Sequence, residues 1–284
     1  MALERVSKIL KMADEAKTSV IAFNCINYDM AYSVVTVAEE LQKPVIIMLY
    51  PEHNYGFNNA DVRGFAETVK SLASRVKVPV GLHLDHSSDF DYIMKAIREG
   101  FTSVMFDGSM LPVEENIRLS KKVVEVARNF DVDVEAELGR VGFAKDSDED
   151  NLDLYTKPEV AAEFCKETGV TSVAVAIGSA HGVYLETPKL DIERLEEINR
   201  ATETPLVLHG GSGIPNDQLE VAFTKGINKF NVGTEFFQLY YDTVFEYMKA
   251  HESERNVNLL FDMSKYVQDK LMAYLREKMK LSKF

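Results

Sequence analysis

Short apolar runs and longer mixed segments alternate from one end of the chain to the other. Eight runs stand out: SVIAFNC (19–25), PVIIMLY (44–50), PVGLHLD (79–85), SVMFD (103–107), DVDVEAEL (131–138), SVAVAIG (172–178), PLVLHG (205–210) and INKFNV (227–232). They read as buried runs more than as open alternation, the pattern of strands covered by helices in a parallel sheet. The segments between them repeat apolar residues at helical spacing, as in 60–76 with Val62, Phe65, Ala66, Val69, Leu72 and Ala73. Comparable stretches cover 30–41, 89–99, 113–129, 158–167, 192–199, 216–224 and 234–250, and a last helical tail covers 263–281. Eight strand–helix units in this length predict an α/β fold. A (β/α)8 barrel of the TIM type with an additional C-terminal helix is favoured over a doubly wound sheet.

No linker or abrupt change of composition divides residues 1–284, so a single barrel domain is expected. The polar, acidic stretch within 143–156 reads as a mobile loop after the fifth strand. In a closed barrel, sites form where the C-terminal ends of the strands meet the following loops. Unusual polar residues fall at those ends: Asn24, Asp85 with His86, Asp107, Glu137, His181, His209 and Asn231. Positions far apart in sequence therefore converge on one mouth, where Asn24 and Asn231 are candidates to face a substrate.

Composition narrows the partners. A net charge of −13 disfavours nucleic acid or an anionic membrane, though backbone N–H groups can still bind an anionic small molecule. No segment approaches the ~20 apolar residues of a membrane span, and the amphipathic start of the chain has no signal-like apolar stretch. Two cysteines, Cys25 and Cys165, make no disulfide framework, so a reducing, cytoplasmic setting is expected.

Of six histidines, His83, His86, His181 and His209 lie at or just beyond strand ends. Three imidazoles from separate strands with carboxylates nearby suit a catalytic zinc, and His86, His181 and His209 are the favoured set. Iron or manganese would accept the same donors, and Asp107 or Glu137 could coordinate in another state. Strand alternation puts His83 and Asp85 on one side, which gives Asp85 to proton transfer and His83 to support. LHGGSG (208–213) and NVGTE (231–235) follow the seventh and eighth strands, where barrels often bind phosphate. Gly210, Gly211 and Gly233 permit close backbone approach, and Ser212 and Thr234 add hydroxyl donors. No strand interior offers a convincing Schiff-base lysine, since Lys229 falls near the start of the eighth run.

Seven ordered blocks carry a resemblance over almost the whole chain: AFNCIN (22–27), PVGLHLDH (79–86), VMFDGSMLPVEENI (104–117), EAELGRVG (135–142), GSAHGVY (178–184), LVLHGGSG (206–213) and NVGTE (231–235). Together they resemble the class II, metal-dependent ketose-bisphosphate aldolases of the fructose and tagatose branches. The resemblance implies Zn2+ ligation by His86, His181 and His209, with Glu137 an additional metal-associated residue and Asp107 part of the same polar mouth. It implies proton transfer by Asp85 at the C4 oxygen, phosphate contacts from Gly182, Gly210, Ser212 and Thr234, and a substrate contact from Asn231. A monovalent cation, Na+ or K+, near the Gly182 loop and a homodimer or homotetramer are likewise implied. The corresponding reaction is reversible cleavage of a ketose 1,6-bisphosphate to dihydroxyacetone phosphate and glyceraldehyde 3-phosphate. Another phosphorylated ketose is the close alternative. A metal- and sugar-phosphate-binding protein with little turnover is the alternative of a different class.

Three departures from the family pattern matter. Phe143 and Lys145 stand where the family has a glycine and the glutamate that handles a proton at C3, and Asp146, or another acid in 146–150, is the candidate substitute. Tyr50 stands where a small serine is usual and would narrow the pocket. Ser87 and Ser88 follow His86 where a glycine normally comes first.

Overall fold

A computed structural model describes residues 3–51, 61–139, 155–180, 187–254 and 256–284. The eight apolar runs become β1 (Val20–Asn24), β2 (Val45–Leu49), β3 (Val80–Leu84), β4 (Ser103–Phe106), β5 (Asp133–Leu138), β6 (Ser172–Val175), β7 (Leu206–Leu208) and β8 (Ile227–Val232). Every strand residue is buried, as the near-continuous apolar runs require. All neighbours pair in parallel, and β1 pairs β8 with Val20 opposite Lys229 and Ala22 opposite Asn231, which closes the barrel.

The helices pack outside: α1 (Val6–Glu15), α2 (Tyr28–Leu41), α3 (Val62–Ala73), α4 (Phe90–Arg98), α5 (Val113–Ala127), α6 (Pro158–Thr168), α7 (Ile192–Ala201), α8 (Asn216–Thr224), α9 (Thr234–Ala250) and α10 (Asn258–Met279). Helix α2 starts two residues before its apolar spacing suggests, because the Asn27 side chain accepts the Met30 N–H at 3.0 Å and caps it. Asp89 does the same for α4, accepting from Asp91 and Tyr92 at 2.9 and 3.3 Å. That cap fixes the short loop leaving the site after His86. The C-terminal helix begins at Asn258 rather than near 263, since Asn256 accepts the Asn258 N–H at 3.0 Å. Among the described residues, no helix is long and apolar enough to cross a membrane.

The amphipathic start of the chain has a role its pattern alone does not reveal. Helix α1 turns Val6, Ile9 and Leu10 onto Val20, Ala22, Ile46 and Met48, closing the N-terminal end of the barrel, and Phe284 packs against the same cluster. Gly81 of β3 makes room for this plug: a Cβ there would lie 3.0 Å from Val6, 3.1 Å from Ile46 and 3.3 Å from Ile9. Gly81→Val is therefore expected to overpack the plug and to lower unfolding free energy by ~1–3 kcal/mol. Denaturant unfolding checks this, and an unchanged midpoint would show that α1 has room to move.

Strand β5 carries acids at every second position, all facing inward. At the bottom, Asp133 accepts from the Arg5 guanidinium, and its Oδ2 accepts the Ser7 N–H at 2.7 Å. Glu135 lies at mid-height and Glu137 at the top. The acidic loop expected at 143–156 lies outside the described residues except for its last two. Of those, Thr156 ties β5 to the β6 end, donating to Leu138 O at 2.6 Å and accepting from Ala176 N at 2.9 Å.

Candidate active site

Asp85 follows β3, its backbone N–H bonded to Leu49 O at 2.9 Å. It is almost fully buried, and its two carboxylate oxygens are held by two side-chain amides. Asn24 Nδ2, from the end of β1, donates to Oδ2 at 2.7 Å, and Asn231 Nδ2, from β8, donates to Oδ1 at 3.1 Å. A carboxylate can only accept, so both amides must turn their NH2 groups toward it. Their carbonyl oxygens, Asn24 Oδ1 and Asn231 Oδ1, are buried with no hydrogen-bond partner among the described residues. Both acceptors remain available to a donor such as a sugar hydroxyl.

His86 turns into the mouth because its backbone takes the left-handed conformation, φ +42°, rare for a residue with a Cβ. Its Nδ1 pairs with Asp107 Oδ2 at 2.8 Å. Asp107 Oδ1 accepts from Ser109 N at 3.1 Å and Ser109 Oγ at 2.7 Å. The opposite nitrogen, Nε2, lies 4.0 Å from Asp85 Oδ1. The His86 and His209 rings meet at 4.6 Å between centroids, and Tyr50 presents its ring edge-on to His86 at 5.8 Å.

His209 sits between two carboxylates of β5. Its Nδ1 lies 3.0 Å from Glu137 Oε2 and its Nε2 lies 3.1 Å from Glu135 Oε1. Below it, Lys229 Nζ contacts both Glu135 oxygens at 2.9 Å, and Ser172 Oγ donates to Glu135 Oε2 at 2.9 Å. Lys229 is the third residue of β8, near its start as the sequence reading has it, and it is wholly buried and ion-paired. Glu135 and Ser172 went unnoticed in the sequence, and Lys229 was weighed there only as a Schiff-base lysine. Period-two alternation from Glu137 back to Glu135, and from Asn231 back to Lys229, is the signal that finds them.

These contacts set the protonation states. Burial opposes charge on Asp85, but His86, His209 and Lys229 outweigh it and hold the carboxyl below its usual range. Burial, then Lys229, drops His83 to about 3, so it is a neutral ring with Nδ1 2.8 Å from Ser103 Oγ. His209 goes the other way. Burial disfavours its cation, yet the Glu135 and Glu137 carboxylates outweigh burial and push its pKa up to about 10.

Metal-ligating atoms of Asp85, His86 and His209 all lie within 4.8 Å of one another, as do those of His86, Asp107 and Glu137. The two groups share His86 and mix imidazole with carboxylate, a donor set that fits a divalent transition metal. A third group, His83, Asp85 and Glu135, fits poorly because the Lys229 ammonium already occupies Glu135. His181, expected as the third imidazole, lies outside the described residues, as do Gly182, Lys145 and Asp146. A metal on His209 competes with its proton, so lower pH weakens binding. Apparent metal affinity is expected to rise about tenfold per pH unit between roughly pH 6 and 8. Competition against a chelator at each pH measures it, and a pH-independent affinity would remove His209 from the ligand set.

The glycines after β7 are needed for space as well as backbone freedom. Gly210 has φ +65°, and a Cβ on it would fall 2.3 Å from the Ala180 carbonyl oxygen, while one on Gly211 would enter the Phe230 ring. Ser212 Oγ accepts the Glu235 N–H at 3.1 Å, so its own hydroxyl proton can be given elsewhere. Gly233 precedes Thr234 at the start of α9, and the Glu235 carboxylate in that first turn is met by Lys278 Nζ at 2.7 Å. The loop after β7 and the start of α9 thus join through the Ser212–Glu235 bond, and the N–H groups of the helix start suit an anion. The structure brings Asn24, Asp85, His86, Asp107, Glu137, His209 and Asn231 to the mouth, with Gly210, Gly211, Ser212, Gly233 and Thr234 on the β7–β8 side.

Comparison with known proteins agrees with this geometry. The model of the class-II fructose-bisphosphate aldolase family matches residues 4–283. The YdjI aldolase from Escherichia coli K12 is similar at 33% identity and a TM-score of 0.85, with 98% of this chain and 97% of that one covered. A Coccidioides immitis protein assigned as a fructose-1,6-bisphosphate aldolase matches at 27% identity and a TM-score of 0.84, covering 98% and 95%. The fructose-bisphosphate aldolase of Campylobacter jejuni, at 23% identity over 98% and 95%, shares the fold with a TM-score of 0.83. The chain belongs to the class-II fructose-bisphosphate aldolase family, and it is an enzyme of aldol cleavage acting on a phosphorylated sugar.

Proposed function

We propose that the protein is a zinc-dependent aldolase of a ketose 1,6-bisphosphate, of the fructose or tagatose type, yielding dihydroxyacetone phosphate and glyceraldehyde 3-phosphate. The observation that carries this reading is Asp85, a buried carboxylate aligned by Asn24 and Asn231 and 4.0 Å from His86 Nε2. In the cleavage direction Asp85 accepts the proton of the C4 hydroxyl. The C3–C4 bond then breaks, its electron pair moves toward C2, and the C4 oxygen becomes the aldehyde. Asn24 and Asn231 keep Asp85 aimed, and their carbonyl oxygens accept substrate hydroxyls. Ser212, Thr234 and the backbone of Gly182, Gly210, Gly211 and Gly233 bind the C1 phosphate. A zinc ion held by His86, His181 and His209, with Glu137 and Asp107 close by, supplies Lewis-acid polarisation of the C2 carbonyl oxygen. The proton returned to C3 comes from the segment holding Lys145 and Asp146, with Asp146 as the donor. A Na+ or K+ ion near Gly182, a homo-oligomeric state and a cytoplasmic setting belong to the same reading.

The direct test is a steady-state assay of the zinc-loaded protein on fructose and tagatose 1,6-bisphosphates. Cleavage of one or both, abolished by chelator and restored by zinc, is expected; no turnover of either would remove the bisphosphate assignment. Tyr50 favours a second reading, a phosphorylated ketose of another shape, because its ring edge faces His86 at the rim. Tyr50→Ser is expected to raise kcat/KM for the bisphosphates relative to other ketose phosphates by ~10-fold, the usual size of one pocket contact. An unchanged ratio would place Tyr50 outside the specificity pocket.

A further inference from the structure

Two lysines are buried among the described residues. Lys229 belongs to the barrel interior, beneath the metal donors. Lys278, only 8% exposed, lies outside the barrel in the last turn of α10 and has no part in the chemistry above. A lysine is almost never fully buried without a partner. The negative end of a helix favours a cation in its last turn, but it does not require burial. Arg276, in the same turn, stays at the surface and pairs with Glu40 at 2.8 Å. The burial of Lys278 therefore has another cause.

That cause is the first turn of α9. Lys278 Nζ lies 2.7 Å from Glu235 Oε1 and 5.5 Å from the centroid of the Phe230 ring. These contacts close a loop. The Glu235 N–H donates to Ser212 Oγ at 3.1 Å, Ser212 follows Gly211, and Gly211 sits so near Phe230 that a Cβ on it would enter the ring. Lys278 thus stands directly behind the residues after β7 and β8. Tyr274, one turn earlier on α10, stacks on Phe236 at 5.9 Å and faces the same carboxylate. Burial, then Glu235, pushes its phenol up, so it meets that carboxylate as a neutral group.

The ion pair resolves a conflict of charge. Glu235 is the second residue of α9, where a carboxylate is drawn to the unpaired N–H groups of the helix start. Those are the groups that would hold a phosphate. Left free, the Glu235 carboxylate would compete for them and repel a dianion. Held against Lys278, it is neutralised and kept toward α10. Given that Ser212, Thr234 and the neighbouring backbone bind the C1 phosphate, as proposed above, we propose that Lys278 is a positioning residue of that phosphate site. It holds the Glu235 carboxylate away and leaves the start of α9 to the substrate.

Calorimetric titration of the full, zinc-loaded chain with inorganic phosphate tests this. Wild type is compared with Lys278→Met, Glu235→Gln, the two combined, and Lys265→Met, which removes an exposed lysine of the same helix paired with Asp269. Phosphate affinity should fall about tenfold in Lys278→Met, the scale of a charge at a partly buried helix N-terminus. It should return close to wild type in the combined variant, where no stranded carboxylate competes, and stay unchanged in Lys265→Met. Glu235→Gln alone should bind phosphate at least as tightly as wild type. A lysine that only anchors α10 would leave the combined variant binding as weakly as Lys278→Met, and that result would overturn the proposal. Weaker binding in Glu235→Gln would do so too, as would equal losses in Lys278→Met and Lys265→Met. Wild-type protein that binds no phosphate would remove the phosphate site itself, and the role of Lys278 with it. Wild-type binding that Lys278→Met leaves intact would remove the role of Lys278 alone.

Discussion

Asp85→Ala should lose roughly a thousandfold in kcat for carbon–carbon cleavage while KM changes little and zinc stays bound. Removal of a positioned general base typically costs between about 10² and 10⁴ in rate. This site favours the middle of that range or above, because the Asp85 carboxylate is both ionised by its neighbours and locked by two amide donors. Stability should fall as well, since the substitution strands Asn24 Nδ2 and Asn231 Nδ2 in a buried mouth at ~1–3 kcal/mol each. Metal content separates the possible roles. Asp85 lies in the same donor group as His86 and His209, so a variant that fails to retain zinc would recast it as a ligand, and full activity would end its role as the base.

The second large effect is expected at Lys229. Lys229→Met leaves Glu135 as a buried carboxylate with its cation removed, and breaking a buried pair from one side commonly costs ~3–5 kcal/mol. Thermal unfolding should show a loss of several degrees. The disturbance should also reach the metal, because Glu135 holds His209 Nε2 at 3.1 Å. Loss of such an outer partner lowers metal affinity by ~10–100-fold, and Lys229→Met, which keeps Glu135 but removes its cation, is expected to show part of that loss. The double variant Lys229→Met/Glu135→Gln removes the stranded charge and should recover much of the stability but not the metal affinity. A Lys229→Met protein as stable as wild type would show that the carboxylate finds another partner.

The barrel and its mouth were legible in the sequence because each depends on short-range regularities. Eight buried runs at steady intervals define the strands, and polar residues at the ends of apolar runs mark the mouth. What links those residues was not legible, since it depends on register around a closed ring. Asn24 and Asn231 bond Asp85 across separations of 61 and 146 positions, and Lys229 reaches Glu135 across 94. The eighth run was read with the bounds that β8 has, but not that Lys229 within it reaches inward to Glu135. Helix α10 was read from Met263 onward, and its first turns were missed because Leu260 and Phe261 there are exposed and continue no buried stripe. His181, Gly182, Lys145 and Asp146 lie outside the described residues.

The partners of the buried charges also order the steps of folding. Glu135, Ser172, His209 and Lys229 belong to β5 through β8 and the residue after β7, so their network can form within the second half of the barrel. The bonds that aim Asp85 come from β1 and β8, the two strands whose pairing shuts the ring. A chain that has collapsed but not yet closed can therefore hold its charged interior together while its carboxylate still swings freely. On refolding from denaturant, cleavage activity should be the last property to return, after secondary structure and after compactness.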